Sequence, residues 1–205
     1  MASEIHYSPL VEARWVYLLE PRPQMDADKP LAWSVELLLP ITAASSRSFL
    51  AELERGFVEA HGRRKRRSDK GEPWKPDRDQ PDELMVVRFK AQQLQRRDGS
   101  FSRGPRVIDA RKQPWDGSAI GNGSRLVVAF TIHPWDRPEG VGITLIPRAA
   151  QVVHFIPYQE CDPTEGFEEQ EGYSQREAAL AVAAPAGAAI DGGYDEFGDD
   201  EEVPF

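Results

Sequence analysis

Apolar and polar residues alternate in six short runs between positions 13 and 156, and turn-forming Pro, Gly or Asp residues separate most of them. A period of two places every second side chain on one face, which is the pattern of a half-buried strand. The first run puts Ala13, Trp15, Tyr17 and Leu19 on one side and Arg14, Val16 and Leu18 on the other. The second groups Trp33, Val35, Leu37 and Leu39; the third groups Met85, Val87, Phe89 and Ala91, with Arg88, Lys90 and Gln92 facing away. The fourth groups Leu126, Val128, Phe130 and Ile132, and two more runs, 141–146 and 151–156, are divided by Pro147.

One segment follows a different period. Over 45–60, Phe49, Leu50, Leu53, Phe57 and Ala60 recur at three and four, a single helical stripe. Ser45 or Ser46 is placed to cap its start and Gly62 to end it. Its apolar face is expected to cover one opening of the sheet. Five to seven short strands with one helix predict a mainly β protein: an OB-like five-stranded barrel with extra strands and one capping α-helix, whose faces and loops bind oligonucleotides in other proteins. Composition alone equally allows a β-sandwich.

The 205 residues suit one such domain plus a tail. The reading is a folded domain over 1–159, a linker over 160–186 and a disordered acidic tail over 187–205. A short helix is expected around 175–184. The single cysteine, Cys161, excludes an internal disulfide and fits a reducing compartment. No apolar run is long enough to cross a bilayer, so a soluble, intracellular protein with no membrane partner is expected.

The formal charge of -9 hides a division. Residues 1–157 carry 24 Lys and Arg against 20 Asp and Glu, whereas 158–205 carry 1 Arg against 14 acids. A mildly basic body is thus joined to a strongly acidic arm, and the arm can compete with polyanions for the body. The arm ends Asp199-Asp200-Glu201-Glu202-Val203-Pro204-Phe205. An acidic string has too little apolar surface to fold alone. A terminal Val-Pro-Phe exposes apolar surface without benefit unless a partner pocket receives it, so these seven residues are read as a docking element rather than a solubilising tail.

Three stretches concentrate cations beside aromatic rings. Arg63, Arg64, Lys65, Arg66 and Arg67 follow the helix, with Trp74 nearby. Five adjacent cations repel one another, and an anionic partner relieves that repulsion; the alternative is a solvated loop. Arg88 and Lys90 share a strand face that serves either a solvent edge or a phosphate backbone. Arg96, Arg97, Phe101, Arg103 and Arg106 surround Asp98-Gly99, a hairpin-turn signal, and Arg111 and Lys112 precede Trp115. Cations for phosphates and rings for bases are the two requirements for holding a single strand. Trp115 and Trp135 both sit in turn contexts that suit either a stacking platform or a lid on the barrel end; Trp115, beside Arg111 and Lys112, is read as the platform and Trp135 as the lid.

The seven C-terminal residues closely resemble the acidic tip of single-stranded DNA-binding proteins of bacteria and their phages. A second resemblance covers 85–155. Val107-Ile108-Asp109, Ile120-Gly121-Asn122-Gly123-Ser124, Gly140-Val141-Gly142-Ile143-Thr144-Leu145 and Ala149-Ala150-Gln151-Val152 resemble successive motifs of replicative single-stranded DNA-binding proteins of short-tailed coliphages. Gly121 to Ser124 is read as a tight turn or bulge, since no lysine follows for a phosphate loop. The resemblance implies a role in phage DNA replication, recombination and repair in the cytoplasm of the infected host. It also implies homodimers held partly by the tail, and partners that include the phage DNA polymerase and the helicase-primase.

Catalysis and cofactors are not expected. His6, His61, His133 and His154 are scattered, with no metal-ligand spacing to Cys161. Glu36, Asp109, Asp116 and Asp136 leave a Mg²⁺-dependent nuclease as an alternative. Strand annealing and a DNA-mimicking interaction protein are the others.

Overall fold

The computed structural model describes residues 4–26, 28–63, 65–159, 166–168 and 170–173. The chain divides into two compact units, Met1–Glu160 and Cys161–Phe205. The expected helix over 175–184 and the tail 187–205 lie outside the described residues. Every strand and helix among the described residues belongs to the first unit.

Eight strands and one helix run in the order β1 (His6–Tyr7), β2 (Val11–Arg22), β3 (Ala32–Pro40), α1 (Ala44–His61), β4 (Trp74–Pro76), β5 (Leu84–Gln92), β6 (Arg106–Ile108), β7 (Arg125–Arg137) and β8 (Gly140–His154). The sheet passes β7-β2-β3-β5-β8, and β8 pairs back onto β7, so five strands close a ring. Within the ring, neighbours are antiparallel except β5 and β8, which run parallel through Phe89 and Leu145; outside it, β6 also runs parallel to β8. Closure leaves the ring without free edges. β1, β4 and β6 add short edges to β7, β5 and β8. The OB-like barrel is therefore observed, and the sandwich is not.

The interior is the alternating set. Val35, Leu37, Leu39, Val87, Phe89, Leu126, Val128, Phe130 and Leu145 are all fully buried. Phe130 is the centre of an aromatic cluster, meeting Phe89 edge-on at 5.1 Å and Phe49 of α1 at 5.8 Å. The helix buries Phe49, Leu53 and Phe57, while Leu50 is half-buried and Ala60 exposed. Each buried Phe or Leu contributes about 1.5–3 kcal/mol.

Three local expectations differ from the structure. The helix is capped by Ala43, with no side-chain hydrogen bond, and Ser46 is buried on its inner face instead. Gly62 does end it, at φ 74, donating its N–H to the Val58 carbonyl at 2.7 Å. Pro147 does not divide a strand: β8 runs through it, and the register shift between Ala129 and Phe130 falls where Pro147 pairs. A residue without an N–H is tolerated at such an irregularity. In β2 the alternation reverses, because Trp15 takes φ 52 and pairing slips between Arg14 and Tyr17. Ala13 and Leu18 are consequently buried, and Trp15 and Leu19 face out.

Candidate nucleic-acid interface

β7 and β8 are longer than the ring requires. Past Ile132 they continue as a two-stranded ribbon to Arg137 and Gly140, pairing His133 with Thr144 and Trp135 with Gly142. The alternation continues with the ribbon, so His133, Trp135 and Arg137 fall on one face and Thr144, Ile146 and Arg148 on one face of the partner strand. Together with β5 and the segment 102–105 they line a groove of about 1260 Å³.

That groove is cationic. Seven Lys and Arg side chains line it against two carboxylates, Asp69 and Glu139. Lys29 pairs with Asp26 at 2.9 Å and Arg137 loosely with Glu139 at 3.8 Å. Arg66, Lys70, Lys90, Arg103 and Arg148 have no ion pair among the described residues. Burial, then the charges of Arg88 and Lys29, hold the Lys90 ammonium below its ordinary range. Bringing a phosphate close would reverse that charge repulsion. Trp135 is half-buried in the groove wall, with the Arg137 guanidinium 5.0 Å from its ring centroid. At Gly104 the chain lies flat on the buried Trp33 indole, and a Cβ there would sit 2.6 Å from the ring.

The basic run after the helix does not act as one cluster. It is laid along β8: the Arg66 carbonyl accepts from the Val141 N–H at 3.0 Å, the Ser68 N–H donates to the Val141 carbonyl at 3.0 Å, and the Gly71 carbonyl accepts from the Ile143 N–H at 2.9 Å. Successive side chains then go separate ways. Arg66 lines the groove. Arg67 turns to the helix, packing 4.3 Å over the Phe57 ring and pairing with Glu54 and Glu72. Hydrogen bonds to those two carboxylates push its pKa up. Lys65 pairs with Asp136 at 2.6 Å, a bond that holds the Asp136 carboxyl below its usual range. Arg63 lies beside Arg55 and Val58 on the helix. Arg64 lies outside the described residues.

Lys90 and Arg103 line the groove. Arg88 is exposed on β5 opposite Glu36. Arg96, Arg97 and Phe101 stand exposed on a hairpin closed by the Arg96 N–H to the Ser100 carbonyl at 2.7 Å, with Gly99 at φ 82. Arg106 is exposed on β6. Arg111 and Lys112 are exposed in a turn whose N–H groups are gathered by Asp109, which accepts from Arg111 at 2.8 Å and Gln113 at 2.7 Å. Trp74 pairs with Val87 through β4 and packs on the core. Trp115 also packs on the core, edge-on to Phe155 at 5.0 Å, and donates its Nε1–H to the Ser118 carbonyl at 2.8 Å. Gly121 to Ser124 forms a turn clamped to the end of the domain, with the Ile156 carbonyl accepting from Gly121 at 2.8 Å. The tail residues Asp199, Asp200, Glu201, Glu202, Val203, Pro204 and Phe205 lie outside the described residues.

The carboxylates considered for metal are occupied separately: Glu36 by Arg14 at 3.0 Å, Asp116 by the Ser118 N–H at 2.9 Å, Asp136 by Lys65. Among the described residues no group of three or more His, Cys, Asp or Glu side chains is placed to hold a metal ion. No helix among them is long and apolar enough to cross a membrane.

Lys29, His133, Arg137 and Arg148 line the groove without a sequence signal of their own, and Trp135, expected as a lid on the barrel end, stands in the groove wall instead. The ribbon as a whole did carry a signal, in the period of two that persists after its apolar members end.

No protein-family model matches the sequence, and no curated protein does. Solved structures do match. The single-stranded DNA-binding protein gp2.5 of bacteriophage T7 superposes with a TM-score of 0.60 at 19% identity, covering 84% of this chain and 99% of that one. The single-stranded DNA-binding protein of bacteriophage Enc34, solved in complex with single-stranded DNA, gives 0.57 at 12% identity over 76% of this chain and 89% of that one. Another structure of the Enc34 protein gives 0.54 at 12% identity, covering 80% of this chain and 90% of that one. The first unit of this chain has the fold of phage single-stranded DNA-binding proteins.

Proposed function

We propose that this chain binds single-stranded DNA without regard to sequence and coats it during phage replication and recombination. The observation that carries the reading is the groove: seven cations against two carboxylates beside a half-buried tryptophan. Phosphates displace counterions along Arg66, Lys70, Lys90, Arg103 and Arg148, and a base stacks on the Trp135 ring by displacing the Arg137 guanidinium that lies over it. The lining contains no array of amides or carboxylates that would read base edges, so affinity follows charge and stacking rather than sequence.

The acidic segment 187–205 supplies regulation. Its seven carboxylates and absence of any base suit it to occupy the cationic groove of its own or a neighbouring copy when DNA is absent. DNA displaces it and frees Phe205 to recruit the polymerase and helicase-primase, and dimers that exchange tails follow from the same chemistry. Deleting 187–205 is expected to tighten binding to single strands, most at low salt, as measured by titration of labelled oligonucleotides. Equal affinity of the two proteins across a salt series contradicts tail competition while leaving groove binding intact. Phe205→Ala is expected to keep DNA affinity and weaken polymerase capture in a pull-down with the purified polymerase.

A further inference from the structure

A second concave site shares no residue with the groove. Trp15, Tyr17, Leu19, Arg22, Asn122 and Tyr158 are among the residues lining a cavity of about 230 Å³ between β2 and the turn at 117–122. Its rings are turned outward: Trp15 is 53% exposed and Tyr158 58%. The Arg22 guanidinium lies 5.2 Å over the Tyr17 ring.

Trp15 is the informative residue. Its φ is 52, the left-handed region that glycine enters freely and a bulky L-residue enters at a cost of about 1–3 kcal/mol. The conformation is held in place by a hydrogen bond from the Trp15 N–H to Asn122 Oδ1 at 2.9 Å. A half-exposed indole gives the core little in return. For folding alone, glycine is the better residue at this bulge, so the ring is accounted for by what it faces.

We propose that this cavity is a second subsite for an unpaired nucleobase. It rests on the single-strand reading of the groove and extends it. Its volume suits about one base, smaller than a drug-sized pocket. Trp15 and Tyr158 offer π-faces, which every base matches, and the Arg22 cation offers a phosphate partner. The Asn122 side chain, whose oxygen is engaged by Trp15, keeps its amide donors for a base edge. A body with two separate strand sites can hold two strands, or two parts of one strand, at once.

The test uses full-length protein with oligothymidylate of increasing length, followed by NMR of the indole N–H signals. The Trp15 signal is identified by its loss in Trp15→Phe. Short oligonucleotides are expected to move the Trp135 signal alone, and longer ones to move Trp15 as well. Trp15→Gly removes the ring while relieving the backbone, so thermal stability should hold or rise. Affinity for long oligonucleotides should fall roughly 5- to 150-fold, the range of one stacked base, with short ones unaffected. A Trp15 signal that ignores DNA at every length, while Trp135 responds, overturns the subsite and leaves the groove standing. A Trp15 signal that shifts in Phe205→Ala without DNA, and not on adding DNA, assigns the cavity to the chain's own terminus and equally overturns it. Silence at both tryptophans, with no binding at low salt, overturns the groove reading itself.

Discussion

Arg66 and Arg67 are neighbours in sequence and opposites in structure. Arg66 faces the groove without an ion-pair partner among the described residues. Arg67 is held by Glu54 and Glu72 across the Phe57 ring. The same contrast divides two regions: the run 63–67, where cations are adjacent along the chain, and the β7–β8 ribbon, where His133, Trp135, Arg137 and Arg148 are spread out. The first region has Lys65 and Arg67 committed to the fold, and the second presents its charges to a cavity. Charge density along a chain does not measure charge available to a ligand. Availability depends on which carboxylates the fold brings alongside.

The largest effect expected from this contrast is at Trp135. Trp135→Ala should weaken single-strand binding by about 1–3 kcal/mol, roughly 5- to 150-fold, in a fluorescence-anisotropy titration. Unchanged affinity would place the stacking elsewhere. Arg148→Ala comes next: a several-fold loss at low salt, with the slope of log K against log salt shallower by about 0.7 if it contacts one phosphate. Arg67→Ala should do the reverse, leaving that slope unchanged. It should lower Tm by roughly 2–8 °C, since a networked ion pair and a cation–ring contact together contribute about 1–2 kcal/mol. If Arg67→Ala instead flattens the salt slope, the division between the two regions is wrong.

The smallest effect concerns acid. Asp77 is buried and accepts from the Asp79 N–H at 3.0 Å and the Gln80 N–H at 3.1 Å, with Arg14 2.7 Å away. The Asp79 amide first, then the Gln80 amide and the Arg14 charge, hold its carboxyl below the usual range despite burial. A lowered carboxyl stabilises the fold fully above its unfolded value, about 3.9, and loses that contribution as pH falls through the lower folded value. Tm of Asp77→Asn should therefore trail the parent at neutral pH, and the gap should shrink as the solution is acidified past the unfolded carboxyl's range. A gap that persists in strong acid would assign it to packing instead.

Much of the fold was legible in the sequence. Trp33, Val35, Leu37, Leu39 and Leu126, Val128, Phe130 were grouped by period alone, and all are buried. The helix stripe and its Gly62 stop were legible for the same reason. Pro147 and Trp15 were misread because a bulge changes parity, and nothing local announces a bulge when the residue is not glycine. β1, β4 and β6 are too short, at two or three residues, to show a period. The site was less legible. Arg66, Lys90 and Arg103 stood out as cations, but Lys29 and Arg148 reach the groove only because strands far apart in sequence close a ring. Trp74 and Trp115, selected for their basic neighbours, pack against the core, and composition cannot tell a packed ring from an offered one.

The most direct test of the central claim is a salt series on the full-length protein and on Arg103→Ala/Arg148→Ala, titrated with single- and double-stranded oligonucleotides of equal length. The groove account predicts a preference for the single strand, a steep loss of affinity with salt, and a slope shallower by about 1.4 in the double variant, two phosphate contacts at about 0.7 each. Identical affinity and slope in parent and variant, with both still folded, would contradict it.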